Sequence, residues 1–301
     1  MSTSIGFIGL GVMGTPMALN LARSGVPLVV WSRSSTHYDT LRNAGGIVAE
    51  SLDALFSRCE TAVLMLAHEE AIDEVLGRRT PLFAQRVAQR LIVNMSTTSP
   101  GYSRALADEI HACKGRYVEA PVSGSRKPAE AGQLVVMLAG DPEEVDRVRQ
   151  LVQPMCRDSL VCGDVPAALT MKLAVNLFLI TMVTGLAEAT NFALRHGIDL
   201  AQFAHALNAG PMASDVSRIK LDKLVTQDFS VQAAITDVLK NSRLVAEAAR
   251  SAGIASPLLD ASHALYGETE TMGHGGLDMV AVIHALSQRS AQATGEALPG
   301  R

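Results

Sequence analysis

The stretch from Asp164 to His196 limits what this chain can fold into more than any other, because it reads as one very long apolar helix. About thirty residues of helix-forming sequence span roughly 45 Å at 1.5 Å per residue. Asp164 is placed as the N-cap and Pro166 in the first turn, where a missing N–H does no harm. His196-Gly197 marks the end. From Leu173 to Ala187 the run is apolar almost all round, the pattern of a helix covered on every side. Lys172 and Glu188 bracket only 15 such residues, fewer than the roughly 20 that a bilayer span needs. The expectation is a buried core or subunit-interface helix, without membrane association.

Lys172 and Asn176 stand four apart within it and so project from one face. Two readings follow. A desolvated lysine has its pKa lowered toward the range useful for proton transfer. A lysine near a helix start can also snorkel to water beside a satisfied asparagine.

Ahead of this helix the chain alternates strand and helix patterns. Ser4 to Ile8 is a β-type run that meets Gly9-Leu10-Gly11-Val12-Met13-Gly14, and helical periodicity follows from Thr15 to Ser24. In that order the glycines have a mechanism: a tight turn, a close approach of pyrophosphate to backbone, and close helix–strand packing, with the phosphates at the helix N-terminus. Val26 to Trp31 is the second strand, and Ser32-Arg33-Ser34 follows it. An acid there would hold a ribose 2′-OH, whereas a base accommodates a 2′-phosphate, so NADP(H) is preferred over NAD(H). Further strands are predicted at Thr61 to Ala67, Leu91 to Met95, Arg116 to Ala120, Gln133 to Ala139 and Leu160 to Cys162, with a helix from Asp141 to Pro154. Leu66 and Ala67 then end a strand at the cofactor crevice, Ser99 reads as a helix cap, and the Ser123-Gly124-Ser125 turn offers hydroxyls and N–H groups to a carboxylate.

After His196 the periodicity is helical only, at Leu200 to Asn208, Val216 to Leu224, Gln232 to Gly253, Pro257 to Met272 and Met279 to Arg289. Lys240, on one of these helices, reads by itself as part of a solvated face, and Gly295 to Arg301 as a frayed end. The fold class is an α/β Rossmann-type doubly wound domain, residues 1–163, and an all-α domain, residues 164–301, joined by the long helix. A net charge of -4 with no charged block gives nucleic acid no footprint. Four cysteines without CxxC spacing and an N-terminus without a basic segment point to a reducing, cytoplasmic setting, and the eight scattered histidines to no metal site.

Four ordered motifs, Gly-Phe-Ile-Gly-Leu-Gly-Val-Met-Gly-Thr-Pro-Met, Asn94-Met-Ser-Thr97, Ala120-Pro-Val-Ser-Gly-Ser125 and Met171-Lys-Leu-Ala-Val-Asn176, resemble the β-hydroxyacid dehydrogenase family over nearly the whole chain. The stretch Glu119 to Asp141 is most similar to its glyoxylate/succinic semialdehyde reductase branch, which prefers NADPH. The resemblance implies that Lys172 is the catalytic acid/base, that Asn176 with Ser123, Gly124 and Ser125 holds a small carboxylate-bearing substrate, that Thr97 and Lys240 contact the cofactor, and that the chain forms a homodimer or homotetramer. Pro166-Ala167-Ala168 replaces the family's Gly-x-Gly, Asn241 replaces an acid, and Arg126-Lys127, expected to be solvated, flank the Ser-Gly-Ser turn. Alternatives on the same fold are an imine reductase-like enzyme and a cofactor-binding module without catalysis; Lys172 speaks against both, since both generally replace it.

Overall fold

Strands buried on both faces must be apolar along their whole length, and the short Val, Ile and Leu runs of the first half meet that condition. The computed structural model describes residues 4–294; the Gly295 to Arg301 expectation falls outside them. In chain order the elements are β1 (Ser4–Ile8), α1 (Gly14–Arg23), β2 (Leu28–Trp31), α2 (Tyr38–Asn43), β3 (Ile47–Val48), α3 (Leu52–Arg58), β4 (Cys59–Leu64), α4 (Glu69–Leu76), α5 (Leu82–Val87), β5 (Leu91–Asn94) and α6 (Pro100–Ala112). There follow β6 (Arg116–Glu119), β7 (Val122–Ser123), α7 (Arg126–Glu130), β8 (Leu134–Gly140), α8 (Pro142–Val152) and β9 (Cys156–Gly163). The sheet order is β3-β2-β1-β4-β5-β6-β8-β7, with β9 on β8. Pairs from β3 to β6 are parallel, and β8 runs antiparallel to β6 and β7.

Register sorts the side chains into two layers. Phe7 lies beside Val30 and Val63, and with Val93 and Val118 they pack beneath Met17, Leu21, Val145 and Val148. Their neighbours Ile8, Val29, Leu64, Ile92 and Tyr117 face the other way, against Leu55, Ile72, Leu106 and Ile110. The doubly wound α/β expectation holds. Because parallel strands share a direction, the C-terminal ends of β1, β2, β4, β5 and β6 form one edge of the sheet, where ligands of such sheets bind.

The long helix α9 (Ala167–Arg195) is followed by α10 (Leu200–Ala209), α11 (Asp215–Thr226), α12 (Ile235–Ser251), α13 (Pro257–Thr269) and α14 (Ile283–Thr294). The chain divides into compact units at Met1–Lys172 and Leu173–Arg301, so the division falls inside α9. In the second unit Leu173, Ile180, Val183 and Ala187 share a core with Val238, Tyr266, Val280 and Val282. By length and apolarity alone α9 would pass for a membrane span.

Two readings of this helix are corrected. Asp164 is not its side-chain cap and Pro166 is not in its first turn: the Val165–Pro166 bond is cis, Ala167 N–H donates to the Asp164 backbone carbonyl at 2.8 Å and Thr170 N–H to the Pro166 carbonyl at 3.0 Å. A side-chain acceptor for the first turn comes from Glu119 instead, at the end of β6. Nor is the helix covered on every side within one chain. Met171, Phe178 and Phe192, seven and then fourteen residues apart, are exposed, Phe178 to 67%; an all-apolar sequence carries no signal of which face remains open.

Candidate active site

The first strand ends in a loop that side chains would block. Gly9 has φ +103°, and a Cβ there would strike the Met65 carbonyl; a Cβ on Gly14 would strike the Gly9 carbonyl. Gly11 has nothing within 4 Å of its would-be Cβ, which leaves room for a phosphate to approach the backbone. No side chain caps α1 and no acid lies in its first turn, so an anion meets neither a competitor nor repulsion there. These residues fit a dinucleotide pyrophosphate. Leu10 is buried in the core and Val12 is exposed, so Leu10 offers a ligand only its backbone.

At the end of β2 the Tyr38 hydroxyl donates to the Ser32 carbonyl at 2.6 Å and accepts from the Ser32 N–H at 3.0 Å. This pins the turn that presents Arg33 and Ser34, both exposed. Among the described residues Arg33 has no carboxylate partner. Strand β4 stops at Leu64, so Leu66 and Ala67 lie in the loop beyond it and not in the strand as expected. The Leu66 N–H donates to Ser96 Oγ at 2.8 Å, tying that loop to the turn holding half-buried Thr97. Ser99 Oγ accepts from the Tyr102 N–H and so is a cap.

Ser123 ends β7, and Gly124 follows at φ +130°. The Ser123 and Ser125 hydroxyls have no hydrogen-bond partner among the described residues. Arg126 pairs with Glu130 on the surface, in keeping with the solvated reading.

Lys172 is only 8% exposed and Asn176 only 3%. Desolvation alone lowers the lysine pKa from 10.5 to about 8. No carboxylate accompanies it among the described residues, and the Asn176 Nδ2 is buried without a partner. The asparagine is therefore not satisfied as the second reading expected. Unpaired buried polar groups are rare in folded proteins and ask for an explanation; a ligand that accepts from the Asn176 amide is one. In the second unit Lys240 lies half-buried on α12, so it does not stand on a solvated face, and the neighbouring Asn241 Oδ1 is buried without a partner.

The first unit thus brings the glycine loop, Ser32 to Ser34, Leu66 to Ala67 and Thr97 to one sheet edge. Glu119, at the same edge, holds the start of the helix that carries Lys172. Sequence reasoning missed Glu119 and its partners Ser103, Tyr117 and Asn94. An acid closing a buried strand, Arg-Tyr-Val-Glu, was the available signal.

A family model described as the NAD binding domain of 6-phosphogluconate dehydrogenase matches residues 4–163, and one described as NAD-binding of NADP-dependent 3-hydroxyisobutyrate dehydrogenase matches residues 167–286. Glyoxylate/succinic semialdehyde reductase 2, chloroplastic, of Arabidopsis thaliana is 29% identical over 95% of this chain and 80% of its own. The 2-hydroxy-3-oxopropionate reductase of Escherichia coli (strain K12) is 27% identical over 94% of this chain and 96% of its own. The crystal structure of a 3-hydroxyisobutyrate dehydrogenase from Salmonella typhimurium shares the fold with a TM-score of 0.85, at 22% identity over 93% of this chain and 99% of that one. The chain belongs to the β-hydroxyacid dehydrogenase family of NAD(P)-dependent oxidoreductases.

Proposed function

We propose that this chain is an NADPH-preferring reductase of a small semialdehyde or oxo-acid, equivalently a hydroxyacid dehydrogenase, with Lys172 as general acid/base. The observation that carries the reading is the pair Lys172 and Asn176, buried on one helix face, with the Asn176 Nδ2 unpaired and no carboxylate beside Lys172 among the described residues. Bound NADPH supplies the hydride. The Lys172 ammonium donates its proton to the substrate carbonyl oxygen, which becomes the hydroxyl, and in the reverse direction the neutral amine takes that proton back. Its charge also stabilises a developing alkoxide. The Ser123 and Ser125 hydroxyls, without a hydrogen-bond partner among the described residues, and the Gly124 backbone receive the substrate's carboxylate.

Arg33 supports the cofactor preference: it is an exposed cation at the end of β2, with no carboxylate beside it among the described residues, where a 2′-phosphate is read. Charge-assisted hydrogen bonds contribute about 1.5–3 kcal/mol, so Arg33→Asp lowers the NADPH-to-NADH ratio of kcat/KM by about 10- to 100-fold. An unchanged ratio would remove Arg33 from the site.

The exposed Met171, Phe178 and Phe192 stripe supports a homodimer or homotetramer built on α9. In sedimentation velocity Phe178→Glu shifts the protein to the single-chain mass, whereas a native protein already at that mass refutes the oligomer. Four free cysteines support a reducing compartment, the cytoplasm.

The deciding experiment is initial-rate oxidation of NADPH and NADH with glyoxylate, succinic semialdehyde, methylmalonate semialdehyde and tartronate semialdehyde. Turnover with NADPH on one of them establishes the class. Silence on all four, with NADPH still bound, sinks the reading in favour of an imine reductase or a non-catalytic module, which a cyclic imine then separates.

A further inference from the structure

We propose that Glu119 is the positioning residue for Lys172, an inference that rests on the acid/base role assigned to that lysine above. Helix α9 has no acidic residue in its own first turn. One Glu119 carboxyl oxygen accepts from the Leu169 N–H at 3.1 Å. The other oxygen accepts from the Ser103 hydroxyl. Ser103 Oγ lies 2.7 Å from the Tyr117 hydroxyl, to which Asn94 Nδ2 donates at 3.0 Å. Asn94 Oδ1 in turn accepts from the Ser96 N–H at 3.0 Å, and Ser96 Oγ from the Leu66 N–H at 2.8 Å.

A line of hydrogen bonds therefore runs from the loop after β4, across the ends of β5 and β6, to the first turn of α9. Asn94, Ser96, Ser103, Tyr117 and Glu119 are all buried. A fully connected buried network is rigid, and a carboxylate at a helix N-terminus is held by free N–H groups and dipole together. Lys172 stands three residues after Leu169, so whatever fixes the first turn fixes the lysine stem. The network thus holds the lysine in register with the loop carrying Leu66.

Three substitutions at this position, with Lys172 watched in two ways, test the inference. Glu119→Gln retains an oxygen for the Leu169 N–H and an amide for Ser103, and keeps kcat within about threefold of wild type, as a position-preserving change should. Glu119→Ala leaves the first turn without an acceptor and lowers kcat by about 100-fold, the scale of a misplacement near 1 Å, while NADPH affinity is unchanged. Should the alanine variant fail to fold, Glu119→Met fills the volume without an acceptor and carries the same expectation.

The second readout needs no substrate: competitive acetylation of Lys172 by acetic anhydride across a pH series, on protein free of cofactor. The midpoint stays near 8 in wild type and Glu119→Gln, and rises toward 10.5 in the variant without an acceptor as the frayed turn admits water. A wild-type protein silent toward every semialdehyde, yet showing this shift, loses the proposed reaction and keeps the positioning. A folded alanine or methionine variant that matches Glu119→Gln in acetylation midpoint, and in kcat wherever the wild type turns over, overturns it.

Discussion

Replacing Lys172 by methionine should cut turnover steeply and at the same time stabilise the fold. The lost proton transfer lowers kcat by about a thousandfold, within the range of general acid–base catalysis, with NADPH affinity unchanged. The gain in stability follows from the pKa. Burial lowers it from 10.5 to about 8, and that difference corresponds to about 3 kcal/mol. Below pH 8 the lysine is protonated in folded and unfolded chains alike, and the full desolvation penalty is present. Between pH 8 and 10.5 the unfolded chain holds a proton that the folded chain has released, so stability rises with pH; above 10.5 the penalty is gone. At neutral pH Lys172→Met should therefore unfold at higher urea by up to about 3 kcal/mol, the advantage fading as pH approaches 10.5. A structural lysine would give the opposite result, lost stability with retained rate. In the reaction proposed for Lys172 reduction should fall and oxidation rise as pH passes about 8, because one direction consumes the ammonium and the other the free amine.

The parts of this site that were legible in the sequence are those whose chemistry is local. A strand, three glycines and a helix in order determine the loop at Gly9 to Gly14, since Gly9 and Gly14 each answer a clash within a few residues or across one strand and Gly11 leaves the backbone open to a ligand. The spacing of Lys172 and Asn176 gives their common face without any tertiary knowledge. What was not legible depends on contacts between distant residues. The carboxylate at the start of α9 comes from 50 residues before Leu169, so local capping rules chose Asp164, the nearest acid, and were wrong. Between Ser35 and Arg90 the elements α2, β3, α3, α4 and α5 are each eight residues or fewer, too short for a period of 3.6 to rise above local composition. The exposed stripe on α9 was hidden for the opposite reason: with apolar residues on every face, periodicity cannot say which face a single chain leaves uncovered.

The same limit hid a buried ion pair of the helical unit, whose loss gives the largest expected change in stability. Lys220 and Asp278 each look like ordinary surface charges in sequence, yet Lys220 Nζ donates to both Asp278 carboxylate oxygens, at 2.8 and 3.0 Å, with the lysine 4% and the aspartate 0% exposed. Asp278 also accepts from the N–H groups of Gln232 at 2.8 Å and Ala233 at 3.2 Å, and from Val280 at 3.4 Å. One carboxylate thus joins α11, the segment leading into α12 and the 3-10 turn Met279–Val282. Asp278→Ala leaves the buried ammonium with only the Gln232 side-chain oxygen at 3.4 Å and strips these N–H groups of their acceptor, and should destabilise the protein by about 3–5 kcal/mol in urea unfolding. Lys220→Met removes one charge but leaves the N–H donors in place, so it should do less harm. In the double variant the two effects should fall well short of their sum, because the stranded ammonium is what makes the aspartate substitution severe. A loss below about 1 kcal/mol for Asp278→Ala would assign the pair to the weakly contributing class of surface ion pairs. Hydrogen exchange adds a local reading: the amides of Gln232 and Ala233 should lose protection in Asp278→Ala and keep it in Lys220→Met. That contrast separates the carboxylate's hold on the backbone from its neutralisation of the lysine, and the backbone it holds leads directly into the helix that carries Lys240.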